Sequence, residues 1–363
     1  MRRISDHPLL FTPLQIRGMT LPNRIMVSPM CQYSSTEGFA TDWHLVHLGS
    51  RAVGGAGIVM TEISAVERDG RISPWDLGIW DDAHVGMLSR ITTFMSEQGT
   101  VPAIQIGHAG RKASQRRPWE GGGPLSQGES PWTTIGPSAL PFDDNWHTPQ
   151  AMSREEIRRV IDSFRAAARR AREAGFVIIE VHAAHGYLLN AFMAKNSNTR
   201  TDAYGGSFEN RIRFPCDVVA AVRDEWPEDF PVSVRISATD WAVGGWGIDE
   251  SIALTHALQE LGVDIIDVSS GGNQAGVTVP NEPGYQVPLA EQIRRETGVT
   301  TAAVGLITEP EQAETILQCG QADIIALGRE FLRKPYWPLE AAAALGVDLE
   351  WLPQYRRAKP YRS

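Results

Sequence analysis

The chain has 363 residues, of which 42% are hydrophobic and 21% are charged, and its formal net charge is −9. These values are close to globular averages and exclude disordered, collagen-like and disulfide-scaffold proteins. No block of lysine and arginine forms a basic face, so we expect no nucleic-acid partner.

The cysteines and the N-terminal residues indicate the cellular compartment. Cys31, Cys216 and Cys319 are far apart and form no C-x-x-C pair, which provides neither a disulfide framework nor a zinc or iron–sulfur ligand set. Polar residues follow Arg2 and Arg3 where a signal peptide needs an apolar run, and no stretch approaches the roughly 18 apolar residues of a membrane span. We therefore expect a cytoplasmic protein with no membrane partner.

The first part of the chain alternates apolar strands with amphipathic helices. A region rich in Gly, Pro, Ser and Trp then follows the third strand, over residues 111–150. Such a region is typical of a long loop over a functional face. The predicted strands are residues 24–30, 56–60 and 101–106, and the predicted helices are residues 43–53 and 82–98.

The second part repeats the same order with clearer signals. Ser153 forms a capping box with Glu156 ahead of a helical apolar repeat that Gly175 ends. Residues 176–181 are then almost continuously apolar, as in a strand buried on both faces. Further strands are predicted at 232–236, 263–268, 300–304 and 322–327, with a helix at 249–261 and another from a capping box of Thr308 and Glu311 to Gly320.

Eight strand-plus-helix units over about 330 residues match the size of a (β/α)₈ barrel. A doubly wound sheet usually has fewer strands. We therefore predict an α/β protein with a single TIM-barrel domain over residues 1–363. The excursion at 111–150 would lie on the active-site face, and a C-terminal tail would occupy 352–363.

Residues at the ends of barrel strands form the working face of this fold. Gly305 and Gly328 follow the last two strands, and Arg329 opens a short helix. Exposed N–H groups, close backbone approach and positive charge are the requirements of a phosphate site, so we predict a phosphorylated ligand unless the glycines only turn the chain. Earlier strand ends carry Ser28, Cys31, Glu62, Gln105, His108, His182, His185, Tyr187, Arg235, Ser269 and Ser270.

His182 and His185 allow three interpretations. With an acidic residue such as Glu62 they could bind the metal of a barrel hydrolase, although no third ligand stands at a metal-like spacing. As imidazole donors they could hold an oxygen that gains negative charge, with Tyr187 as a proton donor. One of them could instead be a core residue.

Arg235 and Cys31 also allow alternatives. Burying Arg235 in a barrel mouth requires an anion, an electron-rich ring edge or a salt bridge. Cys31 is either a small core residue or a polarizable thiol set against a cofactor.

Five motifs together resemble the old yellow enzyme family of flavin-dependent ene-reductases, and the likeness extends over residues 10–355. Cys31 and the tail after Leu352 are similar to the bacterial branch that includes xenobiotic reductases and thermostable ene-reductases. The motifs are SPMCQY at 28–33, QIGHAGRKA at 105–113, HAAHGY at 182–187, SNTRTDAYGGS at 197–207 and GRE at 328–330.

The resemblance implies a non-covalent FMN, NADPH or NADH as the reductant, and an α,β-unsaturated carbonyl or nitro substrate. The flavin would pass hydride to the β-carbon while His182 and His185 hold the substrate oxygen and Tyr187 protonates the α-carbon. A homodimer or homotetramer is implied, in which Arg357 enters a neighbouring subunit's site. The FMN contacts would be Ser28, Pro29, Met30, Cys31, Ile63, Gln105, Arg235, Gly305, Gly328 and Arg329, and the substrate contacts Tyr33, His182, His185 and Arg357.

Departures from the family pattern concern substrate scope. They are Ile63, Val304 and the segments 191–196 and 241–246. The scattered cysteines disfavour a dienoyl-CoA reductase with an iron–sulfur cluster. Tyr187, the two histidines and Arg235 disfavour a binding protein that has lost its activity.

Overall fold

A closed barrel of eight parallel strands forms the centre of the molecule. The computed structural model describes residues 8–359, so Arg2, Arg3 and the last four residues of the predicted tail lie outside the described range. This closed parallel barrel confirms the (β/α)₈ fold that was predicted from the sequence. The barrel strands are β3 (Ile25–Val27), β4 (Ile58–Ala65), β5 (Val101–Gly107), β8 (Ile178–Ala183), β9 (Val232–Ser237), β10 (Ile265–Ser269), β11 (Thr300–Ala303) and β12 (Ile324–Leu327).

Two short two-stranded sheets accompany the barrel. The antiparallel hairpin of β1 (Leu14–Ile16) and β2 (Met19–Leu21) packs its buried residues against the apolar end of the barrel interior, which includes Met60 and Ile178. β6 (Ile135–Gly136) and β7 (Gln150–Ala151) pair in parallel within the excursion. The hairpin leaves the opposite, carboxyl end of the barrel for polar residues.

Helices surround the barrel and bury their apolar faces against it. The predicted capping box at the start of the longest helix is confirmed, because Ser153 Oγ accepts from the N–H of Glu156 and Glu156 Oε2 accepts from the N–H of Ser153. No helix within residues 8–359 is both long and apolar enough to cross a membrane. The helices are α1 (Asp42–Val53), α2 (Val85–Glu97), α3 (Arg154–Glu173), α4 (Leu188–Met193), α5 (Phe208–Glu225), α6 (Ile248–Glu260), α7 (Val287–Thr297), α8 (Pro310–Gln318), α9 (Arg329–Arg333) and α10 (Trp337–Ala344).

Some predicted boundaries are wrong by two residues. Strands β8 and β10 begin at Ile178 and Ile265 because the residues before them still close the preceding helix: Phe176 N–H donates to Ala171 O and Val263 N–H donates to Leu258 O. The predicted cap at Thr308 is also wrong. Helix α8 begins at Pro310 with Glu309 as its N-cap, and proline is favoured at this first position because it needs no N–H donor.

The excursion after β5 contacts loops at three other strand ends. Arg111 Nη2 donates to Asn273 Oδ1 at 3.0 Å, in the loop after β10. Lys112 Nζ donates to His185 O at 2.9 Å, in the loop after β8. The rings of Tyr33 and Trp119 meet edge-on with centroids 5.6 Å apart.

Candidate active site

A cavity of about 160 Å³ lies at the carboxyl ends of strands β9 to β12. Arg235, Gly305, Gly328 and Arg329 line it, and all four are residues predicted from the sequence. The lining also includes residues that were not predicted, among them Tyr285, Gln286 and Arg333. Arg333 stands one helical turn after Arg329, which is a usable sequence signal, whereas nothing in the loop before α7 distinguishes Tyr285 and Gln286.

Gly305 is required by the shape of this cavity. Its φ is 123°, and a Cβ placed on it would lie 2.9 Å from Gln286 Nε2 and 3.1 Å from a ring carbon of Tyr285. A side chain there would therefore be strained and would fill the space beside the cavity. Arginines 235, 329 and 333 outnumber the one carboxylate among the lining residues, Glu330, so the cavity favours an anion.

Arg235 forms the buried salt bridge that was one of its predicted alternatives, and it also lines the cavity. Its Nε lies 3.1 Å from Asp267 Oδ2. The Nε–H does not point at the carboxylate, and neither Asp267 oxygen accepts a hydrogen bond within residues 8–359. Arg235 can therefore form a salt bridge with Asp267 and also face an anion or ring edge in the cavity.

His182 and His185 are adjacent, and hydrogen bonds limit their tautomers. His182 Nδ1 accepts from the N–H of Ala184, so its proton is on Nε2. This nitrogen lies 3.2 Å from His185 Nδ1, and His185 Nε2 lies 2.8 Å from Ser269 Oγ. Burial lowers the pKa of both imidazoles well below the ordinary value, and the charge of Arg235 adds to this shift. Both rings are therefore neutral at neutral pH.

Tyr187, Tyr33, Cys31 and Ile63 belong to one small apolar cluster. The Tyr187 ring centroid is 5.0 Å from that of His182. Burial raises the pKa of the Tyr187 phenol and of the Cys31 thiol well above their ordinary values. Both groups therefore retain their protons at neutral pH.

The ends of the first and third barrel strands meet these groups. Ser28 N–H donates to Leu327 O at 3.0 Å, and a Cβ on Gly328 would lie 3.8 Å from Met30 Sδ, so the segment from Ser28 through Pro29 to Met30 runs beside the cavity. A Cβ on Gly107 would lie 2.6 Å from Ile63 Cδ1 and 3.1 Å from His182 Cβ, so only glycine fits between these side chains.

Gln105 and Lys112 have partners that the sequence did not reveal. Gln105 Nε2 donates to Glu180 Oε1 at 2.8 Å inside the barrel. Lys112 Nζ donates to His185 O and Gly272 O, both at 2.9 Å, and burial lowers its pKa to about 8. Lys112 was part of a motif but had no predicted role.

Glu62 does not join the two histidines as the hydrolase alternative requires. Its Oε1 lies 3.1 Å from His44 Nε2, and its Oε2 accepts from the N–H of Gln32 at 2.9 Å. The structure thus gives Glu62 a different histidine partner, and the metal-site alternative loses its proposed third ligand.

Arg357 is the one predicted site residue that lies apart. It is exposed on a single 3₁₀ turn, Arg356–Ala358, beyond α10. Nearby, the hydroxyls of Tyr355 and Tyr336 are 3.4 Å apart. Within residues 8–359, no hydrogen bond, ion pair or ring contact joins Arg357 to another predicted site residue.

Comparisons with known proteins are consistent with this geometry. Residues 9–347 match the NADH:flavin oxidoreductase / NADH oxidase family. An NADPH dehydrogenase of Geobacillus thermodenitrificans is 46% identical over 351 residues, covering 96% of this chain and 98% of that protein. Morphinone reductase in complex with tetrahydroNAD has a TM-score of 0.78 at 27% identity, covering 96% of this chain and 94% of that chain.

A longer protein shares the fold. A 2-naphthoyl-CoA reductase in complex with 2-naphthoyl-CoA has a TM-score of 0.84 at 24% identity. The match covers 93% of this chain but only 52% of that chain. At this identity the likeness concerns the fold alone.

Proposed function

Because the chain belongs to the NADH:flavin oxidoreductase / NADH oxidase family and is thus a flavin-dependent oxidoreductase, we propose that it reduces the C=C bond of α,β-unsaturated carbonyl or nitro compounds. Its cofactor is FMN, and NADPH or NADH is the reductant. The observation that carries the proposal is the neutral pair of His182 and His185 beside the protonated Tyr187.

The residues at the barrel mouth fit FMN. The anion-favouring cavity beside Gly305 suits the phosphate, which Gly328 and Arg329 would also contact. Arg235 has an Nε–H without a hydrogen-bond acceptor among the described residues, and such a donor suits the polar edge of a flavin ring. Gln105 would meet the same edge, and the remaining ring contacts would come from Ser28, Pro29, Met30, Cys31 and Ile63.

The two histidines would bind the substrate oxygen. His182 Nε2–H is placed to donate to His185 Nδ1 at 3.2 Å, and a substrate oxygen between the two rings would instead accept from His182 Nε2–H and from His185 in its Nδ1–H tautomer. Neutral imidazoles stabilise developing negative charge on that oxygen without giving up a proton. Tyr33, whose ring packs in the same cluster, would cover the substrate.

Tyr187 would complete the reaction by protonating the α-carbon. When bound, FMN supplies the hydride chemistry: it accepts hydride from the nicotinamide and delivers it to the β-carbon. The raised pKa of Tyr187 keeps a proton on the phenol, and a carbanion is a strong enough base to take it.

The first test is the colour and the half-reactions of the purified protein. We expect a yellow protein that releases FMN on denaturation, is bleached by NADPH or NADH without oxygen, and regains its colour with an enone. Failure to bind FMN after reconstitution would overturn the cofactor assignment of the site. Bleaching that no enone, maleimide or nitroalkene reverses would overturn the proposed alkene reduction.

The second test is Tyr187→Phe, followed by anaerobic rapid mixing. We expect flavin reduction by the nicotinamide to be unchanged, and oxidation by the alkene to slow about 100-fold, the lower range of general acid catalysis. Tyr204→Phe is the control, because Tyr204 is half-buried outside the cluster and its hydroxyl contacts Asp217 on α5. An unchanged alkene half-reaction in Tyr187→Phe would remove Tyr187 from the donor role.

A further inference from the structure

Two buried carboxylates stand behind the two residues that would meet the polar edge of the flavin. Glu180 on β8 and Asp267 on β10 have no exposed surface. Glu180 Oε1 accepts from Gln105 Nε2, and Asp267 Oδ2 lies 3.1 Å from Arg235 Nε. Gln105 and Arg235 therefore each contact one buried carboxylate inside the barrel.

The strand register brings these groups together. Strand β9 lies between β8 and β10, and Arg235 on β9 is level with His182 on β8 and with Asp267 on β10. Ser233, two residues before Arg235, is level with Glu180, and its Oγ donates to Glu180 Oε2 at 2.8 Å. Both carboxylates thus flank the strand that carries the single guanidinium.

The charges of this group do not balance if both acids are ionised. Arg235 supplies one positive charge, His182 is neutral, and Gln105 and Ser233 are uncharged. Glu180 has two hydrogen bonds to stabilise it, whereas neither Asp267 oxygen accepts one within residues 8–359. Burial disfavours the charge of each carboxylate, and one guanidinium cannot balance two of them, so we expect the pair to retain a proton.

Building on the proposed function, we infer that Glu180 and Asp267, one on each side of the strand that carries Arg235, together take up a further proton when the bound flavin is reduced. The nicotinamide loses a hydride to the flavin ring, which thereby gains negative charge. A proton from water then binds the ionised carboxylate of the pair. It returns to water when the hydride passes to the alkene, so the pair ends each cycle unchanged.

The electrostatics of the two acids support this role. Burial raises the pKa of both carboxyls, and Asp267 raises that of Glu180 further, while Arg235 lowers both. An added negative charge at the ring would raise both again. Glu180 and Asp267 are thus positioning residues that tune the flavin through Gln105 and Arg235.

The test is the midpoint potential of the FMN-loaded protein between about pH 6 and about pH 10. One proton per two electrons gives a slope of about 30 mV per pH unit, and a second proton gives about 60 mV per pH unit. We expect the wild-type plot to contain a segment of the steeper slope. We also expect the reduced-minus-oxidised infrared spectrum to gain a carboxylic-acid carbonyl band.

Two variants and a control assign the proton. Asp267→Asn and Glu180→Gln should each abolish the steep segment and the infrared band, while Ser233→Ala, which retains both acids, should keep them. A wild-type plot with the shallow slope throughout, or a band that persists in both acid variants, would overturn the inference. If the variants lose FMN, the wild-type infrared spectrum still decides, because protonation of the flavin ring itself can steepen the slope but gives no carboxylic-acid band.

Chemical reduction with dithionite separates this test from that of the proposed function. The potential and the infrared spectrum can be measured whether or not an alkene reoxidises the flavin. A steep segment together with the carboxylic-acid band, in a protein that reduces no alkene, would support the inference about the two acids and overturn the substrate class. A shallow slope in a protein that does reduce alkenes would overturn the inference about the two acids and leave the proposed function standing.

Discussion

Ser269 is placed to choose the tautomer of His185. For His185 to donate through Nδ1 to a substrate oxygen, its Nε2 must accept a hydrogen bond, and Ser269 Oγ lies 2.8 Å from that nitrogen. The other acceptor near this hydroxyl, Gln286 Oε1, is 3.4 Å away and already accepts from Ser270 Oγ at 2.6 Å. Ser269 Oγ donates to Gln286 Oε1 only at this longer distance, so its proton can turn to His185 Nε2 when a substrate oxygen calls for the Nδ1–H tautomer.

We expect Ser269→Ala to reduce kcat/KM for the alkene about tenfold, less than the loss on removing a whole oxyanion donor, because His185 could still adopt the donor tautomer part of the time. Reduction by the nicotinamide should be unaffected. The measurement is rapid mixing together with nitrogen NMR of labelled histidine, which distinguishes the tautomers.

Ser270→Ala is the matched control, since the neighbouring hydroxyl contacts Gln286 and not His185. Its alkene kinetics and histidine spectrum should match the wild type. An unchanged His185 tautomer in Ser269→Ala would contradict the assignment.

At the residue scale, the chemistry of the site was more predictable than its internal partners. His182, Tyr187 and Arg235 stand at strand ends, where the barrel fold itself places functional groups. Glu180 and Asp267 lie inside apolar strands, and nothing in the local sequence reveals which inward-facing group each would meet. That information depends on the register between strands that are distant in the chain.

At the scale of elements, Lys112 joins three loops at the barrel mouth. It lies on the turn after β5, and its ammonium donates to His185 O after β8 and to Gly272 O after β10. It also lies 4.3 Å from the Phe142 ring centroid and 5.5 Å from that of Tyr187. His185 has a φ of 61°, unfavourable for a side chain, so its backbone depends on such contacts.

We expect Lys112→Met to lower the unfolding free energy by about 2–4 kcal/mol, because it removes two charge-assisted bonds and leaves two carbonyls unsatisfied. It should also raise KM for the alkene, since the loop holding His185 loses its support. Denaturant unfolding and alkene kinetics are the measurements.

Lys359→Met provides the comparison, because Lys359 Nζ also donates to a carbonyl, that of Leu349 at 2.8 Å, but near the tail. That change should cost less than about 1 kcal/mol, because the half-buried Lys359 lies at the surface where water can replace the lost contact, and should leave KM unaltered. Equal stability losses in the two variants would show that Lys112 has no special role at the mouth.

Element types were predictable because buried parallel strands are continuously apolar and helices carry caps. The first residue of a strand was harder to predict. Phe176 and Val263 look like strand residues by composition, yet their N–H groups complete the preceding helix. The hydrophobicity of a residue does not show which carbonyl its N–H will bond. The predicted strands therefore begin two residues too early.

At the scale of the whole molecule, the tail after Leu352 packs near α10. A cavity of about 920 Å³ lies between α10 and the tail, lined mainly by apolar groups such as Leu339, Val347 and Trp351. Arg356 and Arg357 are both exposed, and Arg356 pairs with Glu350 at 3.2 Å. Both arginines are therefore on the surface, and of the two Arg356 is the one with an ion-pair partner in its own subunit.

We expect the protein to form a closed two-fold dimer, or a dimer of dimers, in which Arg357 reaches the partner's barrel mouth. Tyrosine and arginine are residue types that anchor interfaces, and a guanidinium can stack on or donate to a bound ligand. Arg357→Ala should then raise KM for the alkene about tenfold, the value of one charged hydrogen bond, without loss of FMN. Arg356→Ala should leave KM unchanged, because that side chain is already paired with Glu350.

Deleting residues 353–363 should raise KM for the alkene as much as Arg357→Ala does, and should also weaken association of the subunits in sedimentation. A truncated protein with wild-type kinetics and sedimentation would show that the tail serves only its own subunit.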